Sequence, residues 1–265
     1  MTLTPHPSII MHKLYVMTAP LILAACTSLS PTDLASAQRS GLVSYSGAQK
    51  NIFVSGKADG TVPLAQMSGT HGAYGVGAYE GLDGEVTVFE GKAYVTKVRD
   101  SGFVMEEAPS GKAIFAAWTQ HQRWVDVPVP RSVQNYLDLQ RFIKAQAQAQ
   151  GVDISTAFPF LMRGQAVELK WHINVDRSQG APITPELFAR SKANYVMRNE
   201  GVDIVGFYSE QHPGVFISAF APAIQEKDVK NAIHIHLVSQ DQRSAGHIDD
   251  LLLDGRMMLR LPVGP

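Results

Sequence analysis

The stretch His234-Ile-His-Leu-Val-Ser-Gln-Asp-Gln-Arg-Ser-Ala-Gly-His247 alternates aliphatic and polar residues and then crosses a polar turn. Its first half favours a β-strand, in which residues two apart point to the same face, so the imidazoles of His234 and His236 share one side. A symmetric turn in the middle of the stretch places residue 236 opposite residue 247, with Cβ atoms about 5 Å apart. The stretch therefore predicts that three histidines converge on one face of a β-hairpin.

Three histidines beside one open position are the ligand pattern of catalytic zinc, whereas structural zinc sites usually close with four protein ligands. Cys26 is the only cysteine in the sequence, so an intrachain disulfide and a cysteine-based metal site are both excluded. We therefore predict a site for zinc, or for another divalent metal, held by His234, His236 and His247. The alternative interpretation is that these are ordinary histidines of a sheet.

The composition is that of a globular protein, with 45% hydrophobic and 18% charged residues. A chain of 265 residues is long enough to bury one large core or two smaller ones. The formal net charge of -1 comes from interspersed acids and bases, without the basic stripe that neutralises phosphates. Nucleic acid is therefore not an expected partner.

The start of the chain has the pattern of an export signal. Lys13 precedes an apolar stretch, residues 14–25, that ends in Leu23-Ala-Ala-Cys26. The stretch is too short to span a bilayer, which takes about 20 apolar residues. Its ending is similar to a bacterial lipoprotein signal, in which Cys26 would be lipidated.

We thus expect residues 1–26 to direct export and residues 27–40 to form a linker. The protein is expected to lie outside the cytoplasm, in the periplasm or its equivalent, lipid-anchored to a bacterial membrane through Cys26. Met11 is an alternative start of translation. A buried helix that happens to end in cysteine is the alternative structure for this segment.

Short runs rich in Val, Tyr, Phe and Thr predict strands through most of the remaining chain. The clearest helix is 132–150, where apolar residues recur at near-helical spacing, Ser132 is a plausible N-cap and Gly151 follows the end. A boundary between two parts of the protein is expected near this helix. Strands are expected within 41–53 and 84–97 and at 167–173, 202–208, 215–219, 232–238 and 247–253, and a second helix at 184–198.

The histidine stretch resembles the metal-binding hairpin of the α-acetolactate decarboxylases in its histidine spacing and in the glycine before its last histidine. Gly81-Leu-Asp-Gly-Glu85 and Val202-Asp-Ile-Val-Gly-Phe207 are similar to two further segments of that family. The three motifs occur in the family's order and at compatible distances. Weaker likeness runs from Leu42 to about Leu253.

The resemblance implies a fold of the α+β class that is mainly β. It would be a two-part architecture with mixed and antiparallel sheets and with the metal site on a β-hairpin near the junction. The N-terminal part would span about 41–150 and the metal-binding part about 151–265.

The family's enzymes remove CO2 from 2-acetolactate to give acetoin, using zinc. The resemblance thus implies a carbon–carbon lyase that acts on 2-acetolactate or a similar 2-hydroxy-3-oxo acid. Zinc chelated by the substrate's hydroxyl and carbonyl oxygens would stabilise, as a Lewis acid, the enediolate that develops as CO2 leaves. Glu85 would be the glutamate near the metal that handles a proton. Its alternative reading is a surface acid in a glycine-rich turn.

The sequence departs from the family's pattern in two places. The family's active-site arginine aligns with His172, and an imidazole lacks the two-pronged grip of arginine on a carboxylate. The family's C-terminal extension, which brings a second glutamate into the site, has no counterpart before Pro265. Substrate binding or orientation is therefore expected to differ.

Residues on the strand 167–173 and on the hairpin are candidates to compensate. Strict alternation puts Lys170 and His172 on one polar face, and Asp249 follows His247 on its face. Lys170 is a candidate catalytic residue in place of the arginine, although a solvated lysine is the simpler interpretation. His172 is a candidate for catalysis, for a fourth metal ligand or for a structural role in the strand.

Two other functions stay open from the sequence. The same ion could activate water to hydrolyse an ester or a lactone. The protein could also be an exported lipoprotein that holds metal or a small acid without turnover, which the changed arginine position favours. A homodimer is compatible with the sequence but no feature of it supports one.

Overall fold

The structure of the protein is a computed structural model that describes residues 1, 37–100, 102–108, 110–211, 224, 226 and 229–263. The expected export signal with Cys26, most of the expected linker and the expected strand at 215–219 lie outside these residues. Among the described residues, none of the helices combines the length and the apolar character needed to cross a membrane.

The described residues form sixteen β-strands and three α-helices. The strands are β1 Gln38–Ser40, β2 Val43–Ser46, β3 Val62–Pro63, β4 Ala73–Tyr79, β5 Glu85–Phe89, β6 Lys92–Arg99, β7 Gly102–Glu107, β8 Lys112–Gln120, β9 Trp124–Pro128, β10 Phe158–Gln165, β11 Glu168–Asn174, β12 Lys192–Arg198, β13 Gly201–Tyr208, β14 Ile233–Ser239, β15 Ala245–Leu252 and β16 Met257–Pro262. The helices are α1 Gln49–Ser55, α2 Tyr136–Ala149 and α3 Pro185–Arg190.

The strands make two eight-stranded sheets. The first has the order β1-β2-β8-β4-β5-β6-β7, with β3 also on β8, and the second has the order β12-β11-β15-β14-β13-β10-β16-β9. The chain passes from the first sheet to the second between β8 and β9, ahead of α2 and of the division expected near residue 150. The expected α+β, mainly β fold is confirmed.

All pairings between the described strands are antiparallel, where the sequence led us to expect mixed pairing as well. A parallel pair needs a crossover connection of a dozen or more residues between neighbouring strands. The long helix α2 instead links β9 to β10, which are not neighbours in the sheet.

The second sheet is the middle layer of the protein, because both of its faces are covered. On one face, Ile233, Ile235 and Leu237 of β14 share a core with Leu139 and Ile143 of α2. These residues alternate along their strand, and the intervening residues of β14 point to the other face. The alternation in the sequence therefore decides which side chains meet the helix and which meet the first sheet.

On its other face, the second sheet packs against the first. Val205 and Phe207 of β13 share a buried cluster with Tyr74 and Val76 of β4. The neighbouring strand β5 approaches β14 and β15 at the same junction. Residues of β5 and of the hairpin β14–β15 are consequently brought together although they are far apart in the sequence.

Helix α2 confirms the helix expected at 132–150, but its start is corrected. The N-cap is Asn135, whose side chain accepts a hydrogen bond from the amide of Asp138 at 2.9 Å, while the Asp138 carboxylate accepts one from the Asn135 amide at 3.4 Å. This reciprocal capping satisfies two amides that the helix itself cannot bond. Ser132 lies in the preceding turn, and Gly151 with its positive φ of 74° follows the helix.

The helix expected at 184–198 is wrong beyond its first turns. Thr184 caps the short helix α3, which ends at Arg190 with Ser191 as its C-cap, and the chain continues as β12 at the edge of the second sheet. β12 pairs with β11 from Glu168↔Arg198 to Asn174↔Lys192. Pairing along a whole strand outweighs the weak helical preference of a short segment.

The strands expected within 41–53 are also corrected in part. β2 occupies the first half of this range, but α1 occupies the second. Gly47 separates them with a positive φ of 71°, and a Cβ at this position would lie 2.6 Å from the carbonyl oxygen of Ile114. The strand ends here because Gly47 adopts a left-handed conformation that leaves no room for a side chain. The expected strands within 84–97 and at 167–173, 202–208, 232–238 and 247–253 are present as β5 with β6, β11, β13, β14 and β15.

Candidate metal centre

The hairpin predicted from the sequence is formed by β14 and β15. His236 pairs with His247, which is the register predicted from the symmetric turn. The amide of Ser239 donates to the carbonyl of Ser244 at 2.8 Å and closes the turn. Because the aliphatic residues of β14 face α2, His234 and His236 face the first sheet.

The three hairpin histidines come together at the junction of the two sheets. His234, His236 and His247 are 5%, 0% and 6% exposed. One ring nitrogen from each lies within 4.8 Å of those of the other two. The ring centroids are 5.1 Å apart for His234 and His236 and 5.4 Å for His236 and His247. The convergence predicted from the sequence is therefore present in the fold.

Strand β5 of the first sheet supplies a carboxyl and a hydroxyl to this cluster. The Oε2 of Glu85 lies 3.8 Å from the Nε2 of His236. The Oγ1 of Thr87 lies 2.9 Å from the Nδ1 of the same ring. Glu85 is buried at 3% exposure and is therefore not a surface acid, which was the alternative interpretation of its turn.

His172 reaches the same cluster from β11, where it pairs with His247. Its Nε2 lies 3.6 Å from the Oε1 of Glu85, and its Nδ1 lies 2.6 Å from the Oδ2 of Asp249. The other oxygen of Asp249 accepts a hydrogen bond from the Nζ of Lys192 at 3.3 Å. His172, His247 and Asp249 thus form a second group of potential metal ligands that shares His247 with the first.

Among the predicted site residues that the structure describes, Lys170 is the one that lies away from the cluster. Its Nζ lies 3.0 Å from the Oδ2 of Asp250, and its side chain is 55% exposed. A solvated lysine with a surface carboxylate is the simpler of the two interpretations weighed from the sequence.

Burial controls the charge state of the imidazoles. It lowers the pKa of His236 and His247 well below the usual value, and the neighbouring histidines add to the effect. Burial also lowers the pKa of His172, against the hydrogen bond to Asp249 that raises it. All three rings therefore favour the neutral form, which is the form that binds metal ions.

The pKa values of the two carboxyl groups of the site are shifted in opposite directions. Burial raises the pKa of Glu85 well above its usual range, although Lys192 and the backbone amide of Asn174 oppose the shift. Burial also acts to raise the pKa of Asp249, but the hydrogen bond from His172 and the charge of Lys192 outweigh it, and the net pKa is lowered. Glu85 is thus the carboxyl that retains a proton, and Asp249 is the one that stays ionised.

The donor atoms fit a divalent metal ion. The Nε2 of His236 and the Oε1 of Glu85 are buried and have no hydrogen-bond partner within the part of the chain that the structure describes. Unsatisfied buried polar atoms are costly, so a group that satisfies them is expected in the working protein. Neutral imidazole nitrogens with a carboxylate nearby are a donor set that zinc accepts.

Thr87 and Lys192 are residues of the site that the sequence analysis missed. Thr87 follows Glu85 by two positions on a strand, so the period of two would have placed it on the same face. Lys192 carried no such signal, because its segment was predicted to be helical. Its position depends on the pairing of β12 with β11.

Comparison with known proteins agrees with this architecture. The sequence model of the alpha-acetolactate decarboxylase family matches residues 45–260. The alpha-acetolactate decarboxylase of Lactococcus lactis subsp. cremoris is 24% identical over 213 residues, which are 76% of this chain and 76% of that protein. The alpha-acetolactate decarboxylase of Klebsiella aerogenes is 25% identical over 232 residues, which are 84% of this chain and 78% of the other.

The fold is shared with solved structures. The alpha-acetolactate decarboxylase of Bacillus subtilis strain 168 superposes with a TM-score of 0.60 at 16% identity, over 82% of this chain and 84% of that one. A Staphylococcus aureus protein of unknown function, described as similar to alpha-acetolactate decarboxylase, gives 0.59 at 18% identity, over 77% of this chain and 78% of that one. Since the family match spans most of the sequence, this chain belongs to the alpha-acetolactate decarboxylase family.

Proposed function

We propose that this protein decarboxylates 2-acetolactate, or a closely similar 2-hydroxy-3-oxo acid, to acetoin and CO2, with zinc held by His234, His236 and His247. Membership of the family and the names of the relatives support the reaction class, a carbon–carbon lyase. The convergence of the three imidazoles supports the metal and its ligands.

The observation that carries the proposal is the position of Glu85 beside the histidines. Glu85 belongs to the first sheet and the histidines to the second, and the packing of the sheets leaves 3.8 Å between its Oε2 and the Nε2 of His236. A carboxyl group next to a metal site is placed to exchange a proton with a molecule bound there. The site thus combines a cation position with a proton donor.

A bound zinc ion supplies Lewis-acid stabilisation of the negative charge that builds on the substrate's oxygens as CO2 leaves. When the bond to the carboxylate breaks, its electron pair remains with the rest of the substrate, and the carbon that carried the carboxylate needs a proton to give acetoin. Glu85 is positioned to deliver this proton. Because burial raises its pKa, Glu85 stays protonated to higher pH than an exposed glutamate does.

The burial of the site has a second consequence for the chemistry. Glu85 and the hairpin histidines are each no more than 6% exposed. Charged and dipolar groups interact more strongly where bulk water is excluded. The proton on Glu85 is also kept from exchanging freely with solvent, which favours its transfer to the substrate.

The full-length protein tests the proposal directly. Purified protein should contain about one zinc per chain by elemental analysis, and it should form acetoin from racemic 2-acetolactate. A His236→Ala variant should lose both zinc and acetoin formation. A His121→Ala variant is the matched control, because the Nε2 of His121 lies 2.6 Å from the carbonyl oxygen of Arg123, away from the cluster.

The other outcomes separate the alternative functions. If the protein contains zinc and forms no acetoin but hydrolyses a chromogenic ester, it is a hydrolase and not a decarboxylase. Zinc with neither activity would leave a protein that only binds metal or a small acid.

We also propose that the protein is exported and anchored through a lipid on Cys26. The apolar stretch that ends in Leu23-Ala-Ala-Cys26 supports this. Expressed in a bacterium, the full chain should fractionate with membranes and incorporate labelled palmitate. A Cys26→Ser variant should lose the label, and labelling that persists in this variant would contradict the proposal.

A further inference from the structure

Asp249 lies at a β-bulge in β15, beside the metal centre. His172 lies opposite His247, but the register between β11 and β15 then shifts between Lys170 and Trp171, which leaves Asp249 as an extra residue on its strand. Bulges are frequent beside functional sites. Asp249 shares the face of His247, as strand alternation predicted, and its carboxylate reaches His172.

Two contacts hold this carboxylate. Its Oδ2 lies 2.6 Å from the Nδ1 of His172, and its Oδ1 lies 3.3 Å from the Nζ of Lys192. The side chains of Asp249 and Lys192 are only 13% and 11% exposed, so the charges face each other with little water between them. A carboxylate on one ring nitrogen of a histidine fixes the proton there and leaves the other nitrogen with a lone pair.

The second nitrogen of His172 points into the site. Its Nε2 lies 3.6 Å from the Oε1 of Glu85, while the other oxygen of that carboxyl lies 3.8 Å from the Nε2 of His236. The ring of His172 lies 4.7 Å from the ring of His247, centroid to centroid. One oxygen of the Glu85 carboxyl therefore lies near a ring nitrogen of His172, and the other lies near a ring nitrogen of His236.

We infer that His172 is a fourth histidine ligand of the metal centre, and that Asp249, held by Lys192, is the positioning residue that presents it. A carboxylate behind a histidine is the usual arrangement around metal-bound imidazole, because it fixes the ring and makes the free nitrogen a better donor. The inference rests on the metal centre of the proposed function and adds to its ligand set.

Four nitrogens from the protein distinguish this centre from a site with three histidines and an open position. Four protein ligands are typical of closed zinc sites, although the coordination of catalytic zinc sometimes expands to five. A substrate oxygen would then enter as a further ligand or in exchange for His172. The position that aligns with the family's arginine would thus supply a metal ligand in this protein.

Zinc affinity and a cobalt spectrum of the metal-loaded protein test the inference. Competition with a chelator should show that Asp249→Asn weakens zinc binding by about 10- to 100-fold, the cost of removing such a carboxylate elsewhere. His172→Ala should weaken it at least as much. The double variant should be no weaker than His172→Ala alone, because Asp249 acts through His172.

The neighbouring residue provides the matched control. Asp250 also pairs with a lysine, since its carboxylate accepts a hydrogen bond from Lys170 at 3.0 Å, but it lies outside the cluster. Asp250→Asn should keep the zinc affinity of the wild type. The visible bands of the cobalt-loaded protein should shift in His172→Ala, where water replaces a nitrogen, and should stay unchanged in Asp250→Asn.

Two results would overturn the inference. One is a cobalt spectrum that is the same in the wild type and in His172→Ala; the other is an equal zinc affinity of Asp249→Asn and Asp250→Asn. If His172→Ala does not fold, the pair of aspartate variants decides alone. If the wild-type protein binds no zinc, both the inference and the proposed function are wrong. If zinc is bound by four imidazoles but no acetoin forms, only the proposed function is wrong.

Discussion

Thr87 and His236 belong to different sheets, and their side chains meet with 2.9 Å between Oγ1 and Nδ1. The contact joins β5 to β14 beside the candidate metal centre. A partner on one ring nitrogen fixes the orientation of the ring and directs the other nitrogen into the site. The packing of the two sheets therefore sets the geometry of a candidate ligand, since β5 brings both the Thr87 hydroxyl and the backbone of Val86 to this ring.

Replacing Thr87 by valine should weaken zinc binding by about 10- to 100-fold, because the shape is nearly kept while the hydrogen bond to His236 is lost. Chelator competition measures the change. The control is Thr119→Val, since the hydroxyl of Thr119 is also buried and donates to the carbonyl of Leu42 at 2.8 Å, away from the histidines. The control should lose stability but keep its zinc affinity, and equal affinities in both variants would refute the role of Thr87.

A Glu85→Gln variant should bind zinc nearly as well as the wild type but form acetoin about 100- to 10,000-fold more slowly, the usual contribution of a positioned acid or base. The amide keeps the size of the side chain but cannot deliver a proton. Steady-state rates with 2-acetolactate, together with zinc content, separate the two effects. Glu106→Gln, at an exposed position on β7, should change neither; a fast Glu85→Gln enzyme would assign the proton to another group.

Much of this site could be predicted from the sequence because the hairpin is local. Strand periodicity and a symmetric turn were enough to place residue 236 opposite residue 247. The meeting of Glu85 with the histidines could not be derived in this way, because it depends on how two sheets pack. It came instead from resemblance to a family.

The rest of the site depends on pairing between strands that are distant in the sequence. Alternation placed Asp249 on the face of His247, but its contact with His172 needs the pairing of β11 with β15. Lys192 reaches Asp249 from a strand that was predicted to be a helix. This segment forms a strand because β12 pairs with β11, and such pairing overrides the local preference of the segment for a helix. The sequence therefore predicted the candidate ligands more readily than the residues that position them.

The metal-free protein should lose stability as the pH falls from about 7 to 5. Burial lowers the pKa of His172, His236 and His247 in the folded state, whereas unfolded histidine titrates near 6.5. Unfolding in this range therefore takes up protons at these positions, at most three in all. Glu85 acts in the opposite direction, because its raised pKa lets the folded protein keep a proton that the unfolded chain has released.

The upper limit, a net uptake of two protons, corresponds to roughly 3 kcal/mol of unfolding free energy per pH unit at the steepest. Urea unfolding with a chelator present, at several pH values, measures the slope. A His236→Gln variant should reduce the slope by about one proton, and His121→Gln should leave it unchanged. Stability that rises on acidification would show that these histidines are charged in the folded protein.

Asn135→Ala should destabilise the protein by about 1 kcal/mol, because it removes the side chain that caps α2. The structure assigns the cap to Asn135, whose side chain and that of Asp138 each accept a backbone hydrogen bond. Ser132, the cap expected from the sequence, is exposed and lies in the turn before the helix. Ser132→Ala should therefore change the unfolding free energy by less than about 0.5 kcal/mol. Urea denaturation of both variants compares them directly, and a larger loss in Ser132→Ala would move the start of the helix back to the position that the sequence favours.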